Sequence, residues 1–210
     1  FWSDATALHT PREVADAART AREHGVTGFI PSLEAFSYVP DRPEAGEPSV
    51  VGKRHKPFGF DPLGDGKMPY NVLPVRVQRF AYRAFSQDPD LEFAKFERQL
   101  GEHFFGPQAS RAEAADLLEL QRIWMYEADW YWASPLMNPD FFVAHARRLN
   151  WSPEHLAAYD KDLMALREIA TRNRSGSNPA TSEMHRLAET VVGRWDAKQT
   201  TPSRVPQAKQ

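Results

Sequence analysis

Only one strand–helix–strand unit can be read in this chain, at its N-terminal end, and a single unit of that kind cannot close a sheet. Residues 1–4 (Phe-Trp-Ser-Asp) have the pattern of a strand end, and Thr10-Pro11-Arg12-Glu13 that of a helix start. Thr10 can cap, Pro11 suits the first helical position, and Glu13 completes a capping box. The predicted helix runs to about His24 and stops at Gly25. Its contact stripe, Val14, Ala18 and Ala21, is small, as suits a helix lying close on a sheet. Val26 to Phe36 reads as a second strand, with Gly28, Ile30, Ser32 and Glu34 alternating with Phe29, Pro31 and Leu33. Pro31 marks a bulge or an early end. The chain also starts at Phe1 without an initiator Met, so the expectation is the C-terminal piece of a larger protein.

The rest is expected to be helical. Residues 39–69 form a long loop rich in Pro, Gly and charge, of a length that is often functional or mobile. From Tyr70 onward the apolar residues recur at helix spacing: Leu73, Val77, Phe80 and Ala84, then Phe93, Phe96, Leu100 and Phe104, with Gly106-Pro107 as a stop. Ser110 and Glu113 form another capping box before Leu117, Leu120, Trp124 and Tyr131. Asn138-Pro139 and Ser152-Pro153 each read as a cap followed by Pro at the first helical position. Leu156, Tyr159, Leu163, Leu166 and Ile169 make one stripe, and Leu187, Val191 and Trp195 another. Arg172–Thr181 is expected to be a linker, and Thr200–Gln210 a disordered tail.

Composition narrows the function classes. The 26 basic and 28 acidic residues give a net charge of −2, so electrostatics provide no reason to expect nucleic acid or an anionic membrane as partner. No apolar run is long enough for a transmembrane helix. Without Cys there are no disulfides or thiolate metal sites. The seven His residues are scattered, with no HExxH pattern. Gly64-Asp65-Gly66-Lys67 lacks the Ser/Thr and the preceding strand of a phosphate loop, and no Gly-x-Ser-x-Gly elbow occurs. No metal and no cofactor is therefore expected.

The chemistry-bearing candidates are Asp4 and Glu34, each where a parallel strand would end. Parallel strands joined by a helix finish on the same side, where barrel enzymes place catalytic residues. Neighbouring strands lie about 4.8 Å apart, so two carboxylates there can share one pocket and split their pKa values. Glycoside hydrolysis needs such a pair: one carboxyl protonates the leaving oxygen, while the other activates water or attacks carbon. The plainer reading is that Asp4 caps a loop and Glu34 pairs with Arg12 or a loop Lys. Trp2 and Tyr38 are the best placed aromatics to stack on a sugar's C–H face, and His9 is placed to line the same site. Phe36, Phe58 and Phe60 fit better as anchors of the loop, and Lys53-Arg54-His55-Lys56 as a solvated run rather than an anion clamp. Trp124, Tyr126, Trp130, Tyr131 and Trp132 cannot all face one way on a helix; packing or a subunit contact accounts for them.

Several of these stretches resemble a known group. Trp2-Ser3-Asp4-Ala5-Thr6, the Pro-started helix and Gly28-Phe29-Ile30-Pro31-Ser32-Leu33-Glu34-Ala35-Phe36 resemble the last barrel strands of TIM-barrel glycoside hydrolases, in particular the α-glucuronidase-like and hexosaminidase-like group. Tyr70-Asn71 through Phe80, Ser86-Gln87-Asp88-Pro89-Asp90-Leu91-Glu92, and Phe96 to Phe105-Gly106 resemble the junction that follows the barrel there. The resemblance covers about residues 1–106 and implies an exo-acting glycosidase or a relative. In α-glucuronidases, carboxylates at the ends of two consecutive late strands act as base for water, and the acid lies on an earlier strand that this chain lacks.

The expected fold class is thus mainly α: terminal β/α elements of an incomplete (β/α)8 barrel in residues 1–88, a helical domain in 89–196, and a tail in 197–210. The expected partner is a carbohydrate, with Asp4 and Glu34 catalytic and Trp2, Tyr38 and His9 binding it. The alternative is a helical interaction or sugar-binding module that dimerises through residues 70–195.

Overall fold

A computed structural model describes residues 10–26, 72–127, 134–139, 142, 143, 146 and 149–200, the last two by backbone alone. Among the described residues there are six α-helices, one short 3-10 turn and no strand. The mainly helical class is as expected, whereas a β/α-barrel fragment is not supported. The segments expected to be strands, residues 1–4 and 26–36, lie outside the described residues except for Val26, as does the loop 39–69. The helices are α1 (Pro11–Glu23), α2 (Leu73–Gln87), α3 (Phe93–Phe105), α4 (Arg111–Met125), α5 (Pro153–Arg172) and α6 (Pro179–Thr200).

Local chemistry explains most of these boundaries. Thr10 and Glu13 make the reciprocal capping box of α1, and Ser110 and Glu113 that of α4. Each supplies two acceptors to amides that have no intrahelical partner. Ser152 Oγ accepts from the His155 amide to start α5. At the other end of α1, the Val26 amide reaches the Ala21 carbonyl and the Gly25 amide reaches Arg22. That closure needs a left-handed residue, and Gly25 sits at φ +72°.

α2 starts differently. Its N-cap, Val72, has no side chain that can cap. Instead Glu183, in the second turn of α6, accepts the Leu73 amide at 2.8 Å with Oε1, while its Oε2 pairs with Arg76. A carboxylate at a helix start also favours the macrodipole. This borrowed cap ties α2 to α6, and no pattern near residue 72 announces it.

The helices pack as α1 on α2, α3 on α4 and α5 on α6, with α4 central, touching α2, α3, α5 and α6. One buried apolar cluster extends from Val14 to Val191. In α1 the buried face is Pro11, Val14, Ala15 and Ala18, with Ala21 only half-buried. Among the described residues this face meets α2, as the small side chains permit. Phe85, Phe96, Leu100, Leu117, Leu120, Trp124, Tyr159 and Leu166 are almost wholly inaccessible. At about 25 cal/mol per Å² of buried apolar surface, such side chains each contribute on the order of 2 kcal/mol.

The expected linker Arg172–Thr181 is a correction. α5 continues through Arg172 and α6 begins at Pro179, so only residues 173–178 connect them. That connection is packed: Asn173 Nδ2 donates to the Ile169 carbonyl and to Asp116, and a Cβ on Gly176 would lie 2.1 Å from Thr181 Cγ2.

Candidate functional site

The helix ends create two places where polar and aromatic groups converge. The first is a cleft of about 480 Å³ where α2, α3 and the start of α6 meet. Arg76, Arg79 and Arg83 follow one another at helix-face spacing and line one wall. Phe80, His103 and Phe104 form the aromatic wall, with the Phe80 and His103 rings stacked at 4.8 Å and the Phe104 ring edge-on to His103. Asn178, Pro179 and Ala180 close the third side, and Asn178 Oδ1 accepts the Ala180 amide at 2.7 Å. Among the described residues Glu183 is the one carboxylate on the lining, and it is engaged by Arg76 and the Leu73 amide. Arg79 and Arg83 are exposed, Arg76 half-buried.

The second place lies at the C-terminal end of α4. Glu127 holds a left-handed backbone, φ +49°, which costs an L-residue on the order of 1 kcal/mol. Its Oε2 accepts the Tyr159 hydroxyl at 2.5 Å and lies 2.9 Å from His155 Nε2. Trp151 stacks on both His155 and Tyr159, with centroids 4.8 and 4.9 Å away. Burial, then the bond to Glu127, pushes the Tyr159 hydroxyl far above its ordinary pKa, so the phenol stays neutral and donates. Nearby, the hydrogen bond from Arg122 holds Glu119 below the usual carboxylate range, and bonds to Glu119 and Asp162 raise Arg122 against its desolvation. The Glu127 group anchors the end of α4 to α5. The first place is an open cleft, and it is the better place for a ligand.

The expected site residues Trp2, Asp4, His9, Glu34 and Tyr38 all lie outside the described residues. Of the aromatic group in the helical part, Trp124 is buried core and Tyr126 packs edge-on to Tyr159, while Trp130, Tyr131 and Trp132 lie outside the described residues. Among the described residues no group of His, Asp and Glu is arranged to hold a metal ion, and no helix is long and apolar enough to cross a membrane. Sequence reasoning passed over the cleft, although the run Arg76, Arg79, Arg83 signals a cationic helix face. No family model, no curated protein and no solved structure matches the chain.

Proposed function

We propose that the chain belongs to a protein that hydrolyses glycosidic bonds, with Asp4 and Glu34 as the carboxylates that polarise water or stabilise the oxocarbenium-like transition state. Trp2 and Tyr38 stack on the sugar in this reading, and His9 lines the site.

The observation that supports it is α1. The helix has 13 residues, so its ends are about 20 Å apart. Asp4 precedes the Thr10 cap by six residues, and in this reading it ends the strand that leads into the N-terminal end of α1. Eight residues separate Val26 from Glu34, and an extended chain of that length spans about 26 Å. That reach is enough to carry Glu34 back along the helix to the level of Asp4, as two same-direction strands flanking a helix require. The buried small-residue face of α1 fixes the helix from which both segments depart.

The test is Glu34→Gln and Asp4→Asn in the intact protein, assayed on aryl glycosides. Loss of an acid or base should lower kcat by about 10²- to 10⁴-fold. Unchanged turnover in both variants rejects the reading. The rival, a helical interaction module, is favoured by the continuous helical core; it requires self-association on sedimentation and the absence of any glycosidase activity.

A further inference from the structure

We draw no further inference here: the strongest candidate, the cleft between α2, α3 and the start of α6, carries nothing because Arg76, Arg79, Asn178 and Glu183 on its lining already have partners within the fold, and nothing in the structure shows what would occupy it.

Discussion

The seam between α4 and α5 and the corner between α2 and α3 are held together by opposite means. At the seam, charges meet charges. Arg122 bonds Glu119 and Asp162, and Arg172 grips Asp116 through two nitrogens at 2.8 and 3.2 Å while Asn173 donates to the same carboxylate. Asp116 and Asp162 are almost buried, and their bonds offset desolvation. At the corner, Phe80, Phe85, Phe93, Phe96 and Phe104 pack with ring centroids between 4.9 and 6.5 Å. Aromatic packing needs no counter-charge, and Arg76, Arg79 and Arg83 stand on the outer face of α2 beside it. The difference separates a seam held by paired charges from a corner held by packed rings.

Breaking the corner should do the most damage. Phe96 is fully buried among three other rings, and Phe96→Ala removes those contacts and opens a cavity. A loss of about 3–5 kcal/mol is expected from urea unfolding; a loss below about 1 kcal/mol would remove the corner from the core. Next comes the seam. Asp162→Ala leaves Arg122 with only Glu119, and because Arg122 is partly exposed the cost should be about 2 kcal/mol rather than that of a fully buried pair. Asp196→Ala, at the exposed pair with Arg167, should leave the unfolding midpoint unchanged, and an equal loss in the two variants would show that burial does not set the value of these pairs.

A further effect, dependent on pH, concerns Tyr159, where ring packing and charge meet. Its pKa is raised by burial and by the bond to Glu127. Above about pH 10 the unfolded chain gives up this proton while the folded chain keeps it. The contribution is therefore complete below that pH and is lost as the pH rises further. Tyr159→Phe should cost about 1 kcal/mol at neutral pH and flatten the alkaline fall in stability, read from urea midpoints between neutral and strongly alkaline pH. An unaltered alkaline slope would place the proton loss elsewhere.

Legibility followed distance along the chain. The caps at Thr10, Ser110 and Ser152 and the stops at Gly25 and Gly106 involve partners within a few residues, and the stripes through Leu117, Leu120 and Trp124 or Leu163, Leu166 and Ile169 follow the helical repeat. The connection after Arg172 was harder to read, because Ser175, Gly176 and Asn178 carry a loop composition whatever their packing. The cleft was half visible: its arginine spacing is written in α2, but that His103 and Pro179 stand opposite follows only from how α3 and α6 cross that helix.

The order of the helices, most of their ends and their buried faces follow from the amino-acid sequence alone, because a helix is built from hydrogen bonds between near neighbours and from a periodic apolar face. Which charges meet was decided only in three dimensions. Arg122 and Asp162 are separated by 40 positions, Arg172 and Asp116 by 56, and Glu183 and the Leu73 amide by 110. A carboxylate's partner at such separation depends on which helices the core brings side by side, and the hydrophobic effect that assembles the core is blind to the pairing of the charges around it.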